Sequence, residues 1–276
     1  MDRSTSRLWR HFCAHLHETE APPYAHRSLA KLPAVELTRF GRAWRLLGKY
    51  HIGGAGSVIA LAREGDMTLA GAGICEALLA RSWEARHRSA RQMLHLAVAA
   101  QEVAAELKVS DLGSAVVADL QARTWGELAN AYRVAGLDDE ALAAFGDAFD
   151  RFAAGSRDPL LKSHLSELEA AHVASGNPEA ALDRLSSSLD LYRYLGESHL
   201  AGRVRITQSI YMARSGKPEE ALRLSAEGLA QIDRRREPLL LKTALHNRLL
   251  LLLNLGRREE AGKMLAQCRL GFQELC

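Results

Sequence analysis

From residue 122 onward one arrangement of apolar and polar positions recurs every forty residues. The stretches "VAGLDDEALAAF", "ASGNPEAALDRL", "RSGKPEEALRLS" and "NLGRREEAGKML" align without gaps, with Gly136, Gly176, Gly216 and Gly256 in register. Ala141, Ala181, Ala221 and Ala261 keep the same step, as do the acids Asp139, Glu179, Glu219 and Glu259. A large apolar residue recurs at Phe152, Tyr192, Ile232 and Phe272, and a leucine at Leu160, Leu200 and Leu240 in the connections. Each period reads as helix, tight turn, helix. The glycine suits the left-handed residue that ends one helix, and Pro178 and Pro218 suit the first turn of the next, where a missing N–H costs nothing. Acids in that first turn favour the positive end of the helix dipole. The small alanine lets two helices approach, and the large residue about three turns later reaches the neighbouring hairpin. One hairpin cannot bury its apolar face alone, so the period predicts a stack.

Upstream, "ICEALLARSWEARHRSARQMLHLAVAAQEVAAEL" divides between Arg88 and Ser89 into two amphipathic halves. The second places Met93, Leu96, Ala97, Ala100, Val103, Ala104 and Leu107 on one helical face. It reads as a degenerate repeat. "SDLGSAVVADLQARTWGELANAYRVAG" then reads as one long helix that begins near Ser110 and Asp111. The expected organisation is an N-terminal region, 1–73, followed by a repeat region, 74–276. The latter comprises the degenerate unit 74–121 and repeats 122–161, 162–201, 202–241 and 242–276.

The first full unit places Trp125, Leu128, Ala129, Tyr132, Gly136, Ala141, Phe145 and Ala148 at the spacing of the tetratricopeptide repeat signature, and residues 122–276 resemble that family. The step of forty exceeds the family's usual 34, as in the long repeats of kinesin light chains and of some bacterial transcription activators. Leu165, Leu168 and His172 replace the first unit's Trp125, Leu128 and Tyr132. The chain is also similar to bacterial regulatory proteins that join such repeats to a variable N-terminal region. The resemblance implies an all-α fold: a right-handed α-solenoid of stacked helix-turn-helix repeats behind a small irregular helical region. It further implies a concave groove lined by the first helix of each unit. Counting back from each glycine assigns to the groove Arg123, Gly126, Asn130 and Arg133, then Ser163, Ser166, Ala170 and Val173. Arg203, Ile206, Ile210 and Ala213 follow, then Thr243, His246, Leu250 and Leu253. Asn130 takes the place of a carboxylate-clamp asparagine, but Gly126 stands where that clamp has lysine. The expected ligand is a protein or peptide, with Arg123, Arg133 and Arg203 available to an acidic segment and the later apolar positions to a partner helix.

Residues 1–73 differ in pattern. "SRLWRHFCAHLH" and "AVELTRFGRAWRLLGKY" read as two helices separated by "TEAPPYAHRS", and a glycine-rich stretch follows. His11 and His15 share a helical face while Cys13 and His17 point elsewhere, so the cluster offers two ligands where tetrahedral zinc needs three or four. Gly53, Gly54 and Gly56 lack the preceding strand and the lysine of a phosphate loop. Arg39, Arg42, Arg45 and Lys49 lie along one helix. Together with the next segment they define the alternative reading, a DNA-binding regulator with a tetratricopeptide sensor. No nucleophile-and-base set is recognisable, and Asp138 and Asp139 belong to a repeat turn. The sequence therefore predicts a non-enzymatic protein with no metal and no cofactor.

Composition narrows the class further. Aromatic residues are 6% of the chain and there are seven prolines, while alanine and leucine crowd nearly every segment, which favours helix over sheet. Cys13, Cys75, Cys268 and Cys276 are too dispersed for a zinc ribbon or a disulfide framework. No apolar run approaches the roughly 20 residues that cross a bilayer, so a cytoplasmic protein without membrane contact is expected. Residues 1–73 hold ten Lys/Arg against six Asp/Glu, a bias too slight to indicate nucleic acid by itself. The last helix, "AGKMLAQCRLGFQELC", lacks a polar capping helix, which predicts self-association at that end or a continuation covering it.

Overall fold

The computed structural model describes residues 24–49, 71–233 and 236–273, and all regular structure among them is helical. They divide into two compact units, Met1–His172 and Val173–Cys276. That division falls inside residues 74–276, the expected repeat region. The histidines of the first predicted helix and the glycine-rich stretch lie outside the described residues.

The first unit contains α1 (Ala25–Ala30), α2 (Ala34–Lys49), α3 (Ala72–Ala85), α4 (Ala90–Ala105), α5 (Val109–Leu112), α6 (Ser114–Val134), α7 (Asp138–Ala154) and α8 (Pro159–Val173). At its centre is α3, buried along nearly its whole length, Glu76 and Ser82 included. It packs against α1, α2, α4 and α6. The approach of α2 is close enough that a Cβ on Gly73 would stand 2.0 Å from the Glu36 carbonyl oxygen. The face assigned to α4 is buried as the periodicity requires, and the Ser89 hydroxyl caps it by accepting from Gln92 N. The described part of the N-terminal region is thus regular helix docked on α3. The helix predicted from Ser110 is corrected. Gly113, with φ +83°, interrupts it, leaving α5 as one short turn before α6.

The second unit contains α9 (Pro178–Tyr194), α10 (Ser198–Arg214), α11 (Pro218–Gln231), α12 (Pro238–Asn254) and α13 (Arg258–Gln273), packed in chain order. The second helix of each hairpin begins at Asp138, Pro178, Pro218 and Arg258, which reproduces the forty-residue step. At three turns the lattice glycine is left-handed: Gly136, Gly216 and Gly256 have φ of 77°, 75° and 71°. The following N–H then reaches back five residues, Leu137 to Tyr132 O, Lys217 to Met212 O and Arg257 to Leu252 O, which is Schellman closure. Gly176 departs from this. There the Asn177 side chain accepts from Ala180 N and its N–H bonds only to Val173 O, so an N-cap replaces the left-handed closure.

The lattice alanines Ala141, Ala181, Ala221 and Ala261 are all buried. A close helix approach in the second unit uses glycines that lie off the lattice. A Cβ on Gly202 would stand 2.8 Å from Gly228 O, and one on Gly228 would stand 2.8 Å from Gly202 O, so α10 and α11 touch backbone to backbone. Gly202→Ala should therefore force them apart and cost about 1–3 kcal/mol. Gly146→Ala, in α7 where an added Cβ meets nothing within 4 Å, should stabilise by about 0.4–1 kcal/mol. Urea denaturation of both variants checks the pair.

Candidate functional site

Four-residue spacing on α6 puts Asp119, Arg123 and Glu127 on one face, and all three are buried. Arg123 has no solvent exposure. Its Nη1 donates to Glu76 Oε1 and Oε2 of α3, each at 2.5 Å, and Ser28 of α1 donates to the same carboxylate. Burial works against the guanidinium charge, but Glu76 and Glu127 more than offset it and hold the pKa above its ordinary value. Next along the face, Glu127 Oε1 lies 2.8 Å from His164 Nε2 of α8. Burial would raise the Glu127 pKa, yet the bond from His164 and the charge of Arg123 hold it below the usual carboxylate range.

At the other end of the face stands Asp158, just ahead of α8, where its Oδ1 accepts from Leu160 N at 3.0 Å. Its Oδ2 receives Tyr24 Oη at 2.9 Å, Arg27 Nε at 2.8 Å and Lys31 Nζ at 3.0 Å. Lys31 also reaches Asp119 Oδ2 at 3.3 Å. Asp119 further accepts from Ser156 N and Ser156 Oγ, an approach for which Gly155 leaves room: a Cβ there would meet Asp119 Oδ1 at 2.4 Å. Burial would raise the Asp158 pKa, but Arg27, Lys31 and Tyr24 hold it down at about 2. Burial pushes the Tyr24 phenol up to about 12, and it pushes the Cys75 thiol up as well. These shifts run away from neutrality. General acid–base chemistry needs groups brought toward it, so the cluster has the electrostatics of an ion-pair network.

The residues assigned to an open groove are dispersed between surface and interior. Arg123 is corrected from ligand contact to buried ion pair, because α3 and the segment around Tyr24 cover it. Gly126 contacts α8, with Leu165 Cδ2 only 2.3 Å from where a Cβ would stand, so a clamp lysine has no room. Asn130 is 4% exposed and accepts from Arg133 Nε and Nη2 at 3.1 and 2.8 Å. Arg133 is half-buried. In the second unit Arg203 and Ile210 are half-buried, while Ile206 is corrected to core beside Ile232 and Ala244. His246 is exposed, and Leu250 and Leu253 are 45% and 51% exposed. Of the candidate DNA-contacting residues, Arg39 pairs with Glu36, and Arg42 and Arg45 are exposed.

Sequence reasoning missed Glu76, Asp158 and the segment around Tyr24. Glu76 left a signal, a single acid in an otherwise apolar stretch of α3. The second unit has a smaller polar junction of its own: His199 Nδ1 accepts from Asp233 N at 3.1 Å, so Nε2 carries the proton toward Glu237 Oε1 at 3.3 Å. Among the described residues no group of three His, Cys, Asp or Glu side chains is placed to hold a metal, and no helix is long and apolar enough to cross a membrane.

No protein-family model and no curated protein matches the chain. The crystal structure of BtubC (BKLC) from P. vanneervenii is similar to it, with a TM-score of 0.56 over 87% of this chain and 92% of that one, at 15% sequence identity. At that identity the likeness is one of fold.

Two outcomes test the electrostatics. Arg123→Met strands the Glu76 carboxylate and should cost about 3–5 kcal/mol, whereas adding Glu76→Leu should recover most of the loss, because an apolar pair leaves no charge buried alone. Asp158 has a folded pKa below its unfolded value near 3.9, so its contribution is complete above about pH 4 and disappears as the pH falls through about 2. The stability gap between the parent and Asp158→Asn should be widest near neutrality and narrow below about pH 4, as followed by urea midpoints across that range.

Proposed function

We propose that the chain is a non-catalytic interaction scaffold of the long tetratricopeptide type, its hairpins stacked with a right-handed turn, and that it receives a protein or peptide partner on the first-helix faces of its repeats. The observation that carries this reading is α12. Its sequence "PLLLKTALHNRLLLLLN" is apolar on two sides. One side, with Leu249, Leu251 and Leu252, is buried with Leu222 of α11 and Ala261 of α13. The other places His246, Leu250 and Leu253 on one exposed stripe, spaced four and three residues apart. Leucines exposed among the described residues, on a helix whose other side fills the core, add little to the hairpin, and this spacing suits contact with an amphipathic ligand. The fold shared with BtubC, the forty-residue step of the second helices and the Schellman turns support the repeat assignment.

The test changes only the stripe. Leu250→Asp with Leu253→Asp should leave the melting temperature near that of the parent, because both side chains already face solvent, and should abolish crosslinking of a photoreactive residue at position 246 to a partner in cells of the source organism. Equal crosslinking in the parent and the double variant would remove α12 from the binding surface.

A further inference from the structure

The segment 24–32 meets the first unit as a ligand meets a groove. Tyr24, Arg27, Ser28 and Lys31 stand at i, i+3, i+4 and i+7, one face of a helix, and each donates a hydrogen bond to a carboxylate of another element: Asp158, Asp158, Glu76, and both Asp119 and Asp158. Across the contact these donors are on the segment and the carboxylates on the body, while Lys31 Nζ also donates to Tyr24 Oη within the segment. This is the anchor spacing of helix-in-groove recognition, with a cationic and hydroxylic ligand face on an acidic receptor face. Leu29, 1% exposed, supplies the apolar anchor.

The segment is not held by its own helix. α1 has six residues and no side-chain N-cap, far below the roughly 12–15 residues at which an isolated helix becomes even marginal. Its charged anchors lie at the rim: the Arg27 and Lys31 side chains are 52% and 31% exposed, while their Asp158 partner is 5% exposed. Nor does it satisfy everything beneath it. The Tyr24 ring lies over Arg123, 5.8 Å from Cζ to the ring centroid, yet the buried Nε and Nη2 of Arg123 have no hydrogen-bond partner among the described residues. A buried donor left unpaired favours any occupant that brings an acceptor.

We propose that the acidic face formed by Glu76, Asp119 and Asp158 is a peptide-binding site, that the segment 24–32 is its internal occupant, and that its external ligand is a peptide segment carrying tyrosine, arginine, serine and lysine at that same helical spacing. The site lies wholly within the first unit and does not depend on the α12 stripe. Its ligand is basic, the reverse of the acidic ligand that the groove arginines suggested. Tethering gives the internal segment an effective concentration in the millimolar range, so the external ligand competes against a local occupant and binds weakly unless that occupant is loosened.

The test uses the intact chain and a fluorescent peptide of sequence YAHRSLAKL, residues 24–32. Tyr24→Ala with Lys31→Ala should bind it at least about tenfold more tightly than the parent. Adding Asp119→Asn and Asp158→Asn should abolish that binding, and raising the salt should weaken it. In the parent, hydrogen exchange of the amides of 28–32 should be faster than that of α3 and α6, and excess peptide should accelerate it further without changing α3. Equal or absent peptide binding by the loosened variant, or α1 amides that exchange only with α3 and ignore the peptide, would make the segment a fixed part of the core and overturn the proposal. The exchange arm uses the parent alone, so a loosened variant that fails to fold leaves the test intact.

Discussion

A guanidinium with no solvent exposure constrains much of the first unit. Desolvating the Arg123 charge is costly unless opposite charge lies in direct contact, so α3 must present Glu76 at hydrogen-bonding distance and α6 must hold Glu127 one turn further on. Those two requirements fix the position of α3 against α6. Once fixed, α3 has a polar edge at Glu76 that Ser28 covers, while the Tyr24 ring lies over Arg123, and an apolar remainder that needs α2 and α4 around it. The described N-terminal helices are docked on α3 by the same burial that makes the ion pair possible.

The second unit is organised by sterics instead. Backbone contact between Gly202 and Gly228 brings α10 and α11 together, and Ile206, Ile232 and Ala244 fill the space beside them. Its polar junction of His199 with Asp233 N and Glu237 is small and oriented by a backbone donor. The two units thus reach the same hairpin packing from different contacts, one by neutralising buried charge and one by removing side chains.

What the sequence made legible follows from which signals are local. Turn chemistry is local: Gly136, Gly216 and Gly256 adopt the left-handed conformation that their spacing required. Helical periodicity is local too, and the face from Met93 to Leu107 is buried as read. Arg123 was misread because its partner lies 47 residues earlier; a charge at a groove position looks like a ligand contact unless the acid that neutralises it is known to face it. The same limit hid Asp158, whose three donors come from over 120 residues away. The break at Gly113 was missed for another reason: a lone glycine among good helix formers is tolerated by propensity alone, and only its φ of +83° shows the chain leaving the helix.

The character of each first-helix face follows from what covers it. On α6 the face is polar and charged, and the chain's own segment screens it. On α12 the face is leucine-rich, and among the described residues it stays open. A charged face left open would hold its ions in water, where an exposed pair contributes about 0–1 kcal/mol, so it gains little until an occupant excludes solvent from it. The segment contributes to the low exposure of Asp158 and, with Ser156, of Asp119, and in the proposed site their hydrogen bonds select basic donors at one spacing. An apolar face needs no such preparation, because burying its area is favourable with any partner of matching shape. In the proposed reading, selectivity would come from the α6 face, through the match of donors to fixed carboxylates, and affinity with little discrimination from the α12 face.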